Sequence, residues 1–470
     1  MYLFKMAYLL VSAAHKSSGK TTVTLGLCAA FRARGVQVQP FKKGPDYIDP
    51  MWLGQASGAP CHNLDFYTME PDEILATVGH YAARADLALI EGNKGLYDGL
   101  DLDGSNSNAA LAKLLQAPVV LVIDARGMTR GIAPLILGYQ AFDRDVRIAG
   151  VILNQLGGSR HESKLRAVIE HYTDVPVVGA VGREAGLEIV ERHLGLIPSN
   201  EHAATVDRIH HIGETIGRQV DLDRIRAIAA SAPALPTEPP FTPSATPGPK
   251  VRIGIARDEA FGFYYPGDLT ALERAGAELV PINTLHDRTL PALDGLFIGG
   301  GFPETCMERL AKNSEMRAAI RTAIEQGLPT YAECGGLMYL ARSLRWKDRQ
   351  ADMVGVIPGD IEMYDRPQGR GYVKLQETAA MPWPVGTTSG EVIAAHEFHY
   401  SGLTNLAPGA RFAFRVLRGT GIDGEHDGLI YKNLLACYTH QRDTRRHRWA
   451  ERFVAHVRAS HAPVTATGSG

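Results

Sequence analysis

The 470-residue sequence predicts an α/β protein made of two doubly wound domains. Three observations carry this expectation. The length exceeds that of one ordinary domain. Continuous apolar runs alternate with helix-like stretches in both halves, the pattern of parallel sheets covered on both faces. Between the halves, "SAPALPTEPPFTPSATPGPK" (231–250) has no apolar period. Its prolines remove backbone donors and bias their neighbours toward extended conformations, so it reads as a linker. The expected organisation is a first domain over 6–230, a linker over 231–250, a second domain over 251–460 and a disordered tail over 461–470.

The elements follow in order. "YLLVSAA", "ADLALIEG", "APVVLVID" and "IAGVILN" read as strands of the first domain, and "GKTTVTLGLCAAFRARG" as a helix stopped by Gly35. The opening residues have the apolar look of a signal peptide. They run straight into a phosphate-loop pattern, so they are read as a buried first strand. After the linker, "KVRIGIARD", "AELVPIN", "LDGLFIGG" and "LPTYAEC" resume the alternation. There are no internal repeats. Lys plus Arg number 49 against 51 for Asp plus Glu, a balance that gives no bulk attraction to nucleic acid or anionic lipid. No apolar run reaches the length of about 20 residues that spans a bilayer. The five cysteines (Cys28, Cys61, Cys306, Cys334, Cys437) show no metal-ligand spacing, which fits a reducing cytoplasm.

"SAAHKSSGKTT" (12–22) follows a strand and opens a helix, the context in which Gly-Lys-Thr binds nucleotide. Backbone N–H groups from Ser18, Gly19, Lys20, Thr21 and Thr22 would cradle the phosphates of ATP at a helix start. Lys20 would reach the β and γ phosphates, and Thr21 would ligate Mg²⁺. Ala13 or Ala14 stands where the first glycine of such loops usually lies. Glu91, just past the end of a strand, is placed to hold Mg²⁺ directly or through water. "PFKKGPDYIDP" (40–50) is expected to be a charged loop, in which Asp46 is a second Mg²⁺ ligand. Asn154 ends another strand, where its amide would read an adenine edge or cap a helix.

Cys334 lies between the strand "LPTYAE" and the helix "GGLMYLARSL". That is the layout of a nucleophile elbow, with the reactive atom exposed on a tight turn at the sheet edge. A helix N-terminus there is expected to lower the thiol pKa. Gly300 and Gly301, in a second glycine-rich turn, would supply an oxyanion hole. A base is required as well. His440 in "LLACYTHQR" is the candidate, with His396 and His399 of "AAHEFHYSG" as rivals. Their three-residue spacing is not that of a zinc-protease helix. The other four cysteines read as structural. A thiolate that attacks an amide releases ammonia from glutamine through a thioester, and ATP can activate a carboxylate as an acyl phosphate. Together the halves would make an amide from an acid.

At this point the chain resembles the cobyrinic acid a,c-diamide synthase family, glutamine amidotransferases of corrinoid biosynthesis. The resemblance runs from about Tyr8 to about His440, through "KKGPDYIDP", "EGNKGLYDG", "GGGFPE", "ECGGLMYL" and "HEFHYS" in the family's order. It implies a first domain like dethiobiotin synthetase and a second like class I glutamine amidotransferases of the triad type. It implies Cys334 as nucleophile activated by His440, and Thr21, Asp46 and Glu91 on Mg²⁺. Asp49 and Asp98 would lie near the tetrapyrrole carboxylate and the intermediate. The implied partners are glutamine, ATP and a tetrapyrrole polycarboxylate, with a homodimer as the assembly. Arg442 stands where class I enzymes place the glutamate of the triad, which leaves the third member open. Asn93 and Lys94 stand where cobyrinate enzymes carry apolar residues. Amidation of sirohaem or a sirohydrochlorin-type ring is the alternative reading, and a partitioning ATPase the third.

Overall fold

The computed structural model describes residues 6–187, 191–192, 195–196, 205–237, 248–384 and 392–461. The chain forms two compact units, Met1–Thr242 and Pro243–Gly470. The middle of the expected linker (238–247) and the expected tail from 462 onward lie outside the described residues.

In the first unit, one sheet contains β1 (Tyr8–Ala13), β2 (Val38–Lys43), β3 (His62–Leu64), β4 (Leu87–Glu91), β5 (Val119–Asp124), β6 (Ile148–Leu156) and β7 (Val177–Gly182). Its order is β3-β2-β4-β1-β5-β6-β7, and every pairing is parallel. Every residue of β1, β4 and β5 is buried, as the unbroken apolar runs require. Parallel neighbours need crossovers. These are α1 (Lys20–Ala33), α2 (Ile48–Ser57), α3 (Pro71–Ala82), α4 (Asn108–Leu115), α5 (Ile132–Phe142) and α6 (Ser159–Tyr172). A short ribbon of β8 (Glu191–Arg192) and β9 (Gly195–Leu196) precedes α7 (Thr205–Gln219) and α8 (Leu222–Ala229). Helix α1 stops as expected, with Gly35 at φ 77.

One segment departs from expectation. "PFKKGPDYIDP" is not a solvated loop: β2 runs to Lys43 and α2 begins at Ile48. Lys42 is therefore the penultimate residue of an inner strand and only 2% exposed. The residues just after α8 are also committed. Ala232 is buried and Leu235 packs on the core of this unit. The Pro236 carbonyl crosses α3 so closely that a Cβ on Gly79 would lie 1.6 Å from its oxygen.

The second unit adds β10 (Val251–Ala256), β11 (Phe261–Phe263), β12 (Ala277–Ile282), β13 (Gly295–Ile298), β14 (Gly300–Gly301), β15 (Thr330–Glu333), β16 (Ala341–Trp346), β17 (Arg349–Asp352), β18 (Ile357–Met363), β19 (Gly369–Glu377), β20 (Val392–His399), β21 (Ser401–Thr404), β22 (Arg411–Arg418), β23 (His426–Tyr431) and β24 (Leu434–Cys437). Its helices are α9 (Pro266–Arg274), α10 (Met307–Lys312), α11 (Ser314–Glu325), α12 (Gly335–Leu340) and α13 (Trp449–His461). The main sheet runs β12-β10-β13-β15-β24-β23-β22-β19-β20. From β12 to β24 it is parallel, the doubly wound half expected from the sequence. From β24 to β20 it is antiparallel. The described chain from 341 to 437 contains no helix, so those strands return by short connections and pair antiparallel. No helix among the described residues is long and apolar enough to cross a membrane.

The Gly79 crossing is testable. Overpacking costs about 1–3 kcal/mol, so Gly79→Ala should lower the thermal midpoint of the first unit by several degrees. An unchanged midpoint would mean that the 231–237 segment is not seated on α3.

Candidate active sites

In the first unit the phosphate loop joins β1 to α1. Gly19 adopts φ 85 at the helix start, a conformation that costs a residue with a Cβ dearly. Space there is also closed, because a Cβ on Gly19 would lie 2.1 Å from the Asn154 amide nitrogen. That amide donates to the Ser18 carbonyl at 2.9 Å, and Ser18 Oγ donates to the His15 carbonyl at 2.8 Å. Asn154, 4% exposed, thus braces the loop from β6. Lys20, Thr21 and Thr22 form the first turn of α1.

Glu91 ends β4, paired in register beside Val11 of β1, and is fully buried. Its Oε1 accepts from Thr21 Oγ1 at 2.6 Å and from Lys42 Nζ at 2.8 Å. Its Oε2 is buried with no hydrogen-bond partner. Lys42 also meets Asp49 at 2.5 Å and Asp46 at 3.9 Å. Thr21, Asp46, Asp49 and Glu91 are therefore brought together, with Lys42 in their midst. Sequence reasoning missed Lys42 as a site residue, because a lysine beside prolines looks solvated until the strand is known. Among the described residues no three carboxylate, imidazole or thiol groups form a ready-made metal site. The lysine ammonium stands between the acids instead.

The electrostatics follow from this crowding. Burial and the facing Lys42 push Lys20 below the usual lysine range. Burial and the adjacent Asp49 carboxylate push Asp46 upward. Burial works against ionised Asp49 as well, but Lys42 outweighs it and holds that carboxyl below its usual range. Lys43, buried and bonded to Asn93 Oδ1 at 3.2 Å, is pushed down to about 8 by burial. Asn108, another residue not singled out from sequence, ties the strand ends together. Its amide nitrogen donates to Ser12 Oγ at 3.1 Å and to the Gly95 carbonyl at 2.9 Å. Asp98 is exposed, and its Oδ2 accepts from the Gly95 N–H at 2.9 Å.

In the second unit three adjacent parallel strands, β13, β15 and β24, deliver the other set at their carboxyl ends. After β13 come Gly300 and Gly301, after β15 Cys334, and after β24 His440. Cys334 has φ 48 and ψ −102, the strained turn expected of an elbow. Its N–H donates to the Cys437 carbonyl at 2.7 Å. A Cβ on Gly335 would lie 3.0 Å from the Gly301 nitrogen, and one on Gly300 would lie 2.7 Å from His440 Cε1. The glycine turn, the elbow and the imidazole therefore close on one another.

Two expectations about Cys334 are corrected. The residue is buried, 6% exposed, rather than exposed at the edge. Burial pushes its thiol pKa up, and the nearby Glu304 carboxylate adds to this. The Gly335 N–H at the helix start pulls the other way, but burial outweighs it. The other four cysteines are buried and form no disulfide, as structural thiols should.

The histidines separate by their surroundings. His440 Nδ1 faces Glu333 Oε2 at 3.3 Å, with both side chains buried. His396 stacks on His440 with centroids 5.1 Å apart, and burial with that neighbour pushes its pKa well down. His399 turns away, stacking on Tyr438 and bonding through Nδ1 to the Ser401 carbonyl at 2.8 Å.

Two family models match the chain: a CobB/CobQ-like glutamine amidotransferase domain over residues 252–446 and an AAA domain over 7–189. The chain is 48% identical over 442 residues to a cobyrinate a,c-diamide synthase of Magnetococcus marinus, covering 93% of this chain and 94% of that protein. It is 43% identical to the protein of that name from Methanosarcina acetivorans, over 92% of this chain and 91% of that one. For the protein of that name from Archaeoglobus fulgidus the identity is 42%, over 90% and 91%.

A buried thiol raised above the ordinary value of about 8.5 is protonated at neutral pH. Alkylation of Cys334 by iodoacetamide, followed by peptide mass spectrometry, should therefore keep accelerating from about pH 7 to about pH 10. A plateau reached by about pH 7 would reveal a preformed thiolate and contradict the burial argument.

Proposed function

We infer the chemistry of each residue from one premise: the chain belongs to the family of cobyrinate a,c-diamide synthases. It is an ATP- and glutamine-dependent amide ligase that converts the a and c acetate carboxylates of cobyrinate to amides. The sirohaem alternative is not favoured, since the relatives that align over nearly the whole chain are cobyrinate enzymes. A partitioning ATPase would have no use for the glutamine amidotransferase domain that matches 252–446.

The observation that carries the glutaminase half is the convergence of Cys334, His440 and the Gly300–Gly301 turn at three adjacent strand ends. In the reading we propose, His440 takes the Cys334 proton as Sγ attacks the γ-carboxamide of glutamine. The oxyanion meets backbone N–H groups of the glycine turn. The imidazolium then protonates the departing nitrogen, the C–N bond breaks, and ammonia leaves a thioester on Sγ. Water cleaves the thioester to glutamate and restores the thiol. Burial, which raises the thiol pKa, gives His440 the part of general base at the moment of attack.

In the first unit, ATP would lie along Ser18–Thr22, with Lys20 on the outer phosphates. Asn154, braced against Ser18, would hold the loop and face the nucleobase side. Mg²⁺ fits the residues present, because Glu91 Oε2 is a buried carboxylate oxygen without a partner and the Thr21 hydroxyl lies beside the same carboxylate. With Asp46 they would hold it, and the ion would supply charge neutralisation on the transferring phosphoryl group. Asp49 and Asp98 would lie toward the tetrapyrrole carboxylate. That carboxylate attacks the γ-phosphorus of ATP, the β–γ bond breaks and ADP leaves an acyl phosphate; ammonia then displaces phosphate, loses a proton and leaves the amide. The cysteines, none of them in a disulfide, suit a reducing cytoplasm.

Paired substitutions test the division of labour. Cys334→Ala should abolish glutamine-driven amidation and leave ammonia-driven amidation near the parent rate. Lys20→Ala should lower both by at least about 10²-fold, the loss of a main electrostatic contact to the transition state. Glutamine-driven turnover surviving in Cys334→Ala, or ammonia-driven turnover surviving in Lys20→Ala, would refute the corresponding role.

A further inference from the structure

The glutamate that class I enzymes place two residues after the histidine is absent, and the residue there, Arg442, lies over the Tyr265 ring at 5.1 Å. A different carboxylate reaches the imidazole. Glu333 immediately precedes the cysteine on β15, and its register partner on β24 is Cys437, three residues before His440. From there its Oε2 lies 3.3 Å from His440 Nδ1. Its Oε1 accepts from the Gln441 N–H at 3.0 Å, so one carboxylate grips both the histidine ring and the backbone that carries it.

A directed chain of donors ends on Glu333. His447 Nε2 meets Gln441 Oε1 at 2.6 Å, Gln441 Nε2 donates to Tyr331 Oη at 2.8 Å, and Tyr331 donates to Glu333 Oε1 at 2.5 Å. The Tyr331 ring is fixed between Phe297 and Trp449, with centroids 5.1 and 5.0 Å away. The Tyr331 hydroxyl and the Gln441 N–H both reach Glu333 as donors, and a carboxylate without a proton can only accept. Nδ1 of His440 must then carry the proton, which leaves Nε2 bare to receive one.

We propose that Glu333, the residue just before the nucleophile, is the third member of the glutaminase triad, a positioning residue that sets the tautomer and orientation of His440. The proposal rests on the Cys334–His440 reading above. It places nucleophile and orienting carboxylate at consecutive positions of one strand end, with the base on the next strand. In Glu333→Gln the amide oxygen would stay with the Tyr331 and Gln441 donors, so the NH2 group would face Nδ1, donate to it and favour the wrong tautomer, with the proton on Nε2. The same logic makes an aspartate-to-asparagine change costly in serine-protease triads.

The test uses the full-length enzyme with glutamine hydrolysis and ammonia-driven amidation as separate readouts. Glu333→Gln should lower glutaminase kcat by about 10²-fold or more, with KM for glutamine within about threefold and ammonia-driven amidation unchanged. Its residual rate should climb with hydroxide from about pH 7 to 9, since the thiolate then has to form without a base. In a His440→Ala background the same change should cost less than about threefold, because residues that act as a unit are non-additive. A parent-like kcat and pH profile in Glu333→Gln would overturn the proposal. So would an equal further loss in His440→Ala, the mark of a merely structural role. Should Glu333→Gln fail to fold by thermal melting, Glu333→Asp decides. The shorter carboxylate should cost about tenfold in kcat, and an unchanged kcat there refutes the role. Failure of the underlying reading looks different: glutaminase activity would then survive Cys334→Ala.

Discussion

A carboxylate that ends a fully buried strand has to be paired, and each half of this protein is organised around one. Leaving such a group charged and unpartnered costs several kcal/mol. Glu91 ends β4 with 0% exposure and Glu333 ends β15 with 3%. Around Glu91 the chain supplies the Thr21 hydroxyl and the Lys42 ammonium. Around Glu333 it supplies the Tyr331 hydroxyl, the Gln441 N–H and the His440 ring. In both places a partner is also a residue of the candidate site: Thr21 beside Glu91 and His440 beside Glu333. The requirement to neutralise a buried acid and the requirement to position chemistry are met by the same contacts.

Strain is held at the same strand ends. Cys334 at φ 48 occupies a backbone conformation that persists only where surrounding packing dictates it, and Gly19 at φ 85 holds one that glycine alone adopts freely. Behind Gly19 stand β1 and the Asn154 amide. Behind Cys334 stand β15, with all four residues buried, and the Gly300–Gly301 turn pressed against Gly335. Parallel strands buried on both faces have little freedom to relax, so the tight turns at their ends stay fixed.

Much of this was legible in the sequence because it is local. Apolar runs identified the parallel strands, and strand–turn–helix context singled out Lys20 and Cys334. His440 stood out because it follows a strand. What was not legible depends on tertiary burial. Lys42 read as solvated because nothing local says that β2 continues through it into the sheet. The thiol shift of Cys334 was expected in the wrong direction, since a helix start is visible in sequence and burial beside Glu304 is not. The antiparallel half of the second sheet went unforeseen, because its strands alternate in burial and lack intervening helices. Glu333 hid in plain view, next to Cys334 but 107 residues from the histidine it faces. The identity of the ring came from the relatives, not from any residue.

The central claim is that nitrogen released at Cys334 ends on two acetate side chains of cobyrinate. The direct measurement offers the enzyme a mixture of cobyrinate, sirohydrochlorin and sirohaem with Mg-ATP and glutamine labelled with ¹⁵N in its amide, then weighs the products. The account predicts that cobyrinate alone gains two labelled amides, with both ¹⁵N atoms on the a and c positions. Label on sirohaem or sirohydrochlorin in place of cobyrinate, or a product amide without label, would contradict it.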